Sequence, residues 1–150
     1  MAELDDIDCR ILRVLQKSGR ISNSELSEHV HLSPSACHRR LQGLEADGVL
    51  SGFVGLVDPL RLDTPFVEIT LNAQSEEVLD AFEREVALIP DLLECHLMAG
   101  TADYLLKISA RDTDDFARIH RRYLARLPGV AQMHSSFSLR TVWQTTALPV

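Results

Sequence analysis

The sequence contains no long apolar run, and this absence limits the kinds of protein that it can encode. None of its hydrophobic segments approaches the roughly 18 consecutive apolar residues that a membrane-spanning helix requires. The first residues also lack the basic and apolar character of a secretion signal, so we expect a cytoplasmic protein that binds no membrane. The 150 residues, 45% of them hydrophobic, suffice for one ordinary domain or two small ones.

Cysteine is scarce and is never paired at a short spacing. The three cysteines lie far apart in the chain, at Cys9, Cys37 and Cys95. This usage indicates reduced, buried thiols rather than disulfides. Among the six histidines, His29 and His31 do not share a helix face, and His96 points away from the adjacent cysteine on a strand. We therefore expect neither a metal site nor another cofactor.

No catalytic motif is present, and positive charge is in short supply. The sequence has no GxSxG, P-loop or dinucleotide-binding glycine pattern, so we expect a protein that is not an enzyme. Its 15 Lys and Arg against 22 Asp and Glu give a net charge of −7. A single copy of such a chain attracts nucleic acid poorly, because useful affinity for DNA requires several phosphate contacts. Any role on DNA therefore predicts two or more copies that act together.

Two helix-start signals lie close together between residues 22 and 48. Ser22 and Glu25 have the spacing of a capping box, which satisfies the free N–H groups of a first turn. Ser33 and Pro34 combine a hydroxyl cap with a proline at the first helical position. Two short helices joined by a tight turn are typical of a helix-turn-helix, the second helix of which enters the major groove of DNA.

The predicted pair of helices has an apolar side and a polar side. We expect the first helix to end near Val30 and the second at Gly48. The apolar positions that can share one small core are Leu26, Val30, Leu32, Cys37, Leu41 and Leu44. The outer face of the second helix then carries Ser35, His38, Arg39 and Gln42. Hydroxyl, imidazole, guanidinium and amide groups are suited to base edges and phosphates.

Arg39 and Arg40 are adjacent, so only one of them can face the groove squarely, and we expect the other to reach a phosphate. The start of each helix adds further polar groups that can approach the DNA backbone. The predicted set of double-stranded DNA contacts is Ser22, Asn23, Ser33, Pro34, Ser35, His38, Arg39, Arg40 and Gln42.

The rest of the chain predicts one more helix, a strand and an α/β unit. Helical spacing of apolar residues predicts a helix from about Asp5 to Ser18, which completes a three-helix unit. Residues 49–57 are apolar and β-branched and predict an extended strand that links two domains. Further elements are predicted as a strand over 66–71, a helix over 75–88, strands over 92–98 and 104–110, a helix over 112–127 and a strand over 130–140. The order βαββαβ is that of a ferredoxin-like fold, so the fold class is α+β.

This arrangement resembles the Lrp/AsnC (feast/famine) family of prokaryotic transcriptional regulators over nearly the whole chain. The segments that carry the likeness are residues 4–12, 19–26, 32–35, 44–50, 100–106, 127–130 and 145–149. The chain departs from the family pattern at His31, where glycine is common, at Cys37, where an aliphatic residue is common, and at Trp143, where lysine is common. The resemblance predicts a winged helix-turn-helix domain over 1–50, a strand linker over 51–63 and a ligand-binding and oligomerisation domain over 64–150.

The resemblance implies a regulator whose assembly or DNA affinity responds to an amino acid or a related small metabolite. It implies homodimers, formed through the linker strand and the sheet, that assemble into tetramers or octamers. The effector would bind between dimers, at a loop formed by Met98, Ala99, Gly100, Thr101, Ala102, Asp103 and Tyr104, together with His134, Ser135 and Ser136 of the last strand. Gly100 permits a positive φ and close backbone approach, and Asp103 can accept an ammonium group. The alternatives are a plain hairpin turn and a turn-capping aspartate.

Two other functions compete with the regulator. Chains that resemble this family include decarboxylases of tetrapyrrole precursors with a degenerate DNA unit, and here His96 or His134 would be the working residues. The other alternative is a metabolite sensor that does not bind DNA. The intact helix caps and the polar outer face of the second helix favour the regulator. A basic stripe on the last helix has acidic partners at helical spacing and predicts a salt-bridged surface rather than a second DNA face.

Overall fold

A computed structural model describes residues 4–57 and 62–150, and contacts within the chain group them into two compact units. The first, the helical unit, holds the residues up to Val57 together with Trp143–Val150, and the second, the sheet unit, holds Asp58–Val142. The predicted second domain over 64–150 includes the last eight residues, which contacts within the chain group with the helical unit. None of the helices in the described ranges is long and apolar enough to span a membrane.

Three helices form the helical unit, as the sequence predicted. They are α1 over Asp6–Leu15, α2 over Asn23–Val30 and α3 over Pro34–Ala46. Each begins at a side-chain cap: the oxygens of Asp5, Ser22 and Ser33 accept main-chain N–H groups of their first turns. Helix α1 ends at Leu15, three residues before the predicted end.

One small core holds the three helices together. Its buried side chains are Ile11, Leu12, Leu15, Leu26, Val30, Cys37 and Leu44. Leu32 and Leu41 pack against this cluster and are partly buried, so the six predicted core positions are confirmed. Burial raises the pKa of the Cys37 thiol, which keeps it protonated and unreactive.

The strand predicted over residues 49–57 does not form in this chain, and the prediction of a strand and a wing there is wrong for these described residues. Residues 51–57 have no regular secondary structure, and Val54 and Val57 are more than four-fifths exposed. A β-branched run becomes a strand only when another strand satisfies its N–H and C=O groups. Part of the predicted linker, residues 58–61, lies outside the described residues.

The sheet unit has the predicted βαββαβ order. Its elements are β1 over Phe66–Leu71, α4 over Glu76–Val86, β2 over Leu92–Leu97, β3 over Tyr104–Ile108, α5 over Thr113–Arg122 and β4 over Val130–Ser136. The strands form one antiparallel sheet in the order β2-β3-β1-β4, which confirms the ferredoxin-like arrangement.

Several predicted boundaries shift in the structure. Helix α4 ends at Val86, and the apolar face continues to Ile89, which is 4% exposed, rather than to Leu88, which is 71% exposed. The last predicted helix breaks at Tyr123 into α5 and a short 3-10 turn over Leu124–Arg126. The final strand stops at Ser136 rather than at residue 140, because Ser136 pairs with Phe66, the first residue of β1.

Both helices of the sheet unit cover the same face of the sheet. Val67, Ile69, Leu106 and Ile108 point into this core and are fully buried against side chains of α4 and α5. Strand alternation places the neighbouring side chains on the opposite face, which neither α4 nor α5 covers. We call this opposite face the open sheet face; it carries Phe66, Glu68, His96, Leu105, Lys107 and His134.

Candidate functional site

The outer face of α3 presents the side chains that the sequence predicted. Four residues at helical spacing are exposed there: Ser35, His38, Arg39 and Gln42. The core side chains of α3, such as Cys37 and Leu44, lie on the opposite side of the helix. This separation leaves four polar groups in one row on a helix that is anchored from behind.

Arg40 does not share this face but turns toward α1. Its Nη1 lies 2.7 Å from Asp5 Oδ2 and 2.8 Å from Asp8 Oδ1. The two carboxylates raise the pKa of Arg40, while the Asp8 N–H group and then Arg40 lower the pKa of Asp5. The predicted phosphate contact of Arg40 thus competes with an internal ion pair that joins α1 to α3.

Of the DNA contacts predicted at the helix starts, some are exposed and one is engaged within the protein. Ser22, Ser33 and Pro34 are exposed, although both hydroxyls also cap their helices. Asn23 is partly buried, and its Nδ2 donates a hydrogen bond to the carbonyl oxygen of Pro34 at 2.9 Å. Asn23 therefore braces the start of α3 against the start of α2.

The loop between β2 and β3 is open at its tip and anchored at its end. Met98 is 44% exposed, and Ala99, Gly100 and Thr101 are exposed. A Cβ added to Gly100 would meet no atom within 4 Å. Its φ is negative, so the positive φ that glycine permits is not used at Gly100, and the residue contributes open space.

Asp103 and Tyr104, at the end of this loop, are used by the fold itself. The Asp103 carboxylate accepts hydrogen bonds from the N–H of Leu71 at 2.7 Å and from Gln74 Nε2 at 2.6 Å. The Tyr104 hydroxyl donates to Glu83 Oε1 at 2.6 Å, and burial, followed by Glu83, raises the pKa of Tyr104 well above its usual range. Asp103 thus caps a neighbouring strand, and its contact with an effector's ammonium group stays a prediction.

The supporting residues of the loop escaped the sequence analysis. Gln74 and Glu83 lie 29 and 21 positions from the loop residues that they contact. No local pattern links partners at such a distance, because the contact exists only once the sheet has formed.

Strand β4 places its three predicted effector residues away from the loop of the same chain. His134, Ser135 and Ser136 are exposed and pair with residues 66–68 of β1. The loop end of β3 pairs instead with Ile69. The two groups are thus separated by two strand spacings, roughly 10 Å, and lie toward opposite ends of the sheet. A single chain does not bring them together.

Charged and apolar groups alternate on the open sheet face. Glu94 Oε1 accepts from Lys107 Nζ at 2.8 Å, and Glu94 Oε2 lies 3.1 Å from His96 Nε2. Lys107 and then His96 hold the pKa of Glu94 below its usual value. Phe66 is 36% exposed beside them.

The basic stripe of α5 is partly neutralised within the unit. The buried Asp115 carboxylate lies 3.2 Å from Arg111 Nε and 2.8 Å from Arg118 Nη2. Arg111 above all, followed by Arg118, holds the pKa of Asp115 far below its usual range. This agrees with the predicted salt-bridged surface.

Comparisons with known families cover both units. Residues 4–45 match the AsnC-type helix-turn-helix domain, and residues 64–148 match the Lrp/AsnC ligand binding domain. The leucine-responsive regulatory protein of Escherichia coli K12 is 40% identical over 99% of this chain and 92% of its own length. An HTH-type transcriptional regulator of Sinorhizobium fredii is 46% identical over 75% of this chain and 91% of its own length.

Solved structures of similar proteins share the fold. A transcriptional regulator from Neisseria meningitidis, solved as a complex with L-methionine, is 36% identical and superposes with a TM-score of 0.91 over 98% of this chain and 97% of that chain. An AsnC family regulator from Agrobacterium tumefaciens is 33% identical, with a TM-score of 0.92 over 97% of each chain.

Proposed function

The chain belongs to the Lrp/AsnC family of transcriptional regulators, and we propose that its helix α3 reads a DNA duplex through one exposed face. The observation that carries this proposal is the row formed by Ser35, His38, Arg39 and Gln42, which are exposed while the opposite side of α3 is buried. These side chains supply donors and acceptors for base edges, and Ser22 and Ser33 lie at helix starts suited to phosphates.

Positive charge limits how tightly one copy binds. Arg39 is the permanently charged member of the row, because Arg40 is held by Asp5 and Asp8. One arginine supplies little of the phosphate neutralisation that dominates affinity for DNA. We therefore propose that two or more helical units bind one operator together, each contributing a few contacts.

Arg39→Ala tests this proposal in a mobility-shift or fluorescence titration with the DNA upstream of the chain's own gene. We expect the dissociation constant to rise about 10- to 100-fold and the slope of log affinity against log salt to fall by about one for each site occupied. Arg84→Ala is the matched control, since it removes the same charge from an exposed position on α4. Equal loss in both variants, or no loss in Arg39→Ala, would contradict reading by α3.

We further propose that an amino acid or a related small metabolite binds at the loop of residues 98–104. The tip of this loop is open around Gly100 and is held in place by the buried Asp103. The similar protein from Neisseria meningitidis was solved with L-methionine, an amino acid, which supports this class of ligand. Because His134, Ser135 and Ser136 lie away from the loop in one chain, we propose that they complete the site from a neighbouring chain.

A thermal-shift screen of the twenty amino acids, repeated on Gly100→Val, tests the ligand site. A ligand at 100 times its dissociation constant stabilises the native state by about 2.7 kcal/mol, so a binder raises the melting temperature. The added side chain fills space that the fold leaves empty, so we expect the ligand-free melting temperature to stay and the ligand-induced rise to vanish. Gly43→Ala, at another position with open space, controls for glycine replacement and keeps the rise. A full rise in Gly100→Val would place the ligand elsewhere.

We propose that the open sheet face forms the homodimer, and that dimers assemble into tetramers or octamers. The face carries Phe66 and Leu105 and is not covered by either helix of its own unit. The apolar residues 53–57 are exposed as well and lack a strand partner in the single chain. A second copy supplies both a matching sheet face and a matching unpaired segment.

Phe66→Asp tests the dimer by sedimentation equilibrium. A charge placed at the centre of a packed face costs about 2 kcal/mol or more, so the dimer dissociation constant should rise at least about 30-fold. Leu88→Asp introduces the same group at an exposed apolar position on the helix side and should leave the dimer intact. If Leu88→Asp weakened the dimer and Phe66→Asp did not, the dimer interface would lie on the helix side of the sheet unit.

We infer no catalytic role for the chain, because the similar proteins named above are transcriptional regulators. His96, one of the residues that a decarboxylase would use, lies half exposed beside Glu94 on the open sheet face. A visible-range absorbance spectrum of the purified protein checks this inference, since a tetrapyrrole band would favour the enzyme.

A further inference from the structure

Two of the last eight residues of the chain, Leu148 and Val150, contact helix α1 of the helical unit. The N–H of Leu148 donates to Gln16 Oε1 at 2.5 Å, and Gln16 Nε2 donates to the carbonyl oxygen of Leu148 at 3.1 Å. One carboxamide therefore satisfies both main-chain polar groups of one residue, as a neighbouring strand would. The Leu148 side chain is 70% exposed, so the contact is made to the main chain rather than to the leucine.

A second contact lies two residues further on. Arg13 Nε donates to the main-chain oxygen of Val150 at 2.6 Å, and Val150 packs, partly buried, against the core of the helical unit. Arg13 and Gln16 are three positions apart and thus share one face of α1. The tail is also ordered locally, because the N–H of Ala147 donates to Thr145 Oγ1 at 3.1 Å.

Helix α1 also holds the DNA-reading helix in place. Asp5 caps α1 and, together with Asp8, binds Arg40 of α3. A segment that stabilises α1 on one face therefore stabilises the platform that carries α3 on another.

We propose that the Arg13–Gln16 face of α1 is a binding site for residues 145–150 of the same chain, and that the docked tail is a latch that strengthens the helical unit. Three hydrogen bonds to partly exposed groups and one partly buried valine are a small set of contacts. The latch therefore opens without unfolding of the helices.

Amide hydrogen exchange of the full-length protein tests the docking without DNA. We expect the Leu148 N–H to exchange at least about tenfold more slowly than an exposed amide, and Gln16→Ala to abolish that protection. Gln16→Glu keeps the acceptor and loses the donor, so it should retain part of the protection. Lys17→Ala, at the next and exposed position, is the control and should change nothing. A Leu148 amide that is unprotected, or equally protected in Gln16→Ala, overturns the proposal.

The single tryptophan of the chain, Trp143, lies two positions before the tail and reports on its mobility. Its fluorescence anisotropy should fall in Gln16→Ala and stay at the wild-type value in Lys17→Ala. Affinity for DNA should fall about threefold in Gln16→Ala, since the helical unit is less rigid when it binds. If amide exchange and fluorescence anisotropy in Gln16→Ala equal those of the wild type, the latch is overturned even when DNA binding is normal. If exchange and anisotropy change as expected but the wild-type protein binds no DNA, only the proposed function is contradicted.

Mixed assemblies separate docking within one chain from exchange between chains. A chain that stops at residue 142 keeps Gln16 and lacks the tail, whereas Gln16→Ala keeps the tail and lacks its receptor. If docking occurs within one chain, mixing the two leaves the Leu148 amide unprotected. If protection returns on mixing, the tail docks on a second copy, and the assignment to the same chain is wrong.

Discussion

The helical unit and the sheet unit differ in where they keep the residues with candidate functions. In the helical unit, the exposed row on α3 and the buried core of α3 share no residue. In the sheet unit, Asp103 and Tyr104 belong to the candidate effector loop and are also 8% and 1% exposed. The four candidate residues of the α3 row are thus separate from the fold, whereas two candidate residues of the effector loop are part of it.

The units also differ in whether a single chain forms the whole candidate site. The α3 row is fully formed on one chain and only needs a duplex. The candidate effector residues of the sheet unit lie at separate places on one sheet, and neither α4 nor α5 covers its open face. We therefore expect each subunit to carry its own complete row of DNA contacts, and the proposed effector site to need residues from two chains.

The largest effect that we expect comes from Asp103→Ala, since a functional candidate here is also structural. The change leaves the buried N–H of Leu71 without its acceptor and should lower the free energy of unfolding of the sheet unit by about 2 kcal/mol. Urea unfolding followed by circular dichroism measures it. Thr101→Ala, on the exposed part of the same loop, serves as the control and should cost little. If Asp103→Ala lost ligand binding but kept the wild-type free energy of unfolding, Asp103 would not support the fold, and this difference between the two units would disappear.

A smaller effect of opposite sign is expected from His31→Gly. His31 ends α2 with a φ of 57°, a left-handed conformation that a residue with a Cβ adopts at a cost. Glycine should raise the stability of the helical unit by about 1 kcal/mol in thermal unfolding. Asp47→Gly, at the end of α3, has an ordinary helical backbone and should give no gain. If His31→Gly and Asp47→Gly changed the stability of the helical unit equally, the left-handed conformation at His31 would carry no strain.

Arg39→Ala and Arg40→Ala should separate function from stability on one helix. Arg40 is paired with Asp5 and Asp8, so its removal should lower the melting temperature by roughly 3 °C. Removal of Arg39 should leave the melting temperature unchanged while DNA affinity falls. Differential scanning fluorimetry and DNA titration of both variants decide the point. The reverse pattern would show that Arg40, not Arg39, faces the duplex.

The smallest expected effect concerns acid stability of the sheet unit. The folded pKa of Asp115 is lowered, first by Arg111, so its stabilising contribution is complete above the unfolded pKa of about 4. That contribution declines as the pH falls from there toward the lower folded pKa. Asp115→Asn should therefore be less stable than the wild type at pH 7, and the gap should narrow at pH 3. A stability difference between Asp115→Asn and the wild type that does not depend on pH would contradict a stabilising ion pair at Asp115.

Local signals in the sequence predicted the three helices of the helical unit to within about three residues at each end. The caps at Ser22 and Ser33 act within three positions, so both helix starts appear in the sequence as they do in the fold. The strand β1 was equally clear, because alternation placed Val67, Ile69 and Leu71 on one buried face. The strand over 49–57 was wrong because its propensity is local whereas its pairing is not.

The residues around the candidate sites were less predictable where a partner lies far away in the chain. Nothing near Arg40 in the sequence indicates that it pairs with Asp5, 35 positions earlier, rather than with a phosphate. Asp103 likewise meets the N–H of Leu71 across the sheet. The tail after Trp143 gave no structural signal at all, because its contacts with Gln16 use main-chain groups that every residue possesses.

The sequence by itself determined the helix starts, the order of strands and helices and the polar row on α3, because these depend on neighbours within a few positions. Only the tertiary structure decided which arginine is engaged inside the protein, which loop residues hold the sheet together and where the last residues lie. Those outcomes depend on charges and hydrogen-bonding groups that meet after folding, and no short-range pattern records them.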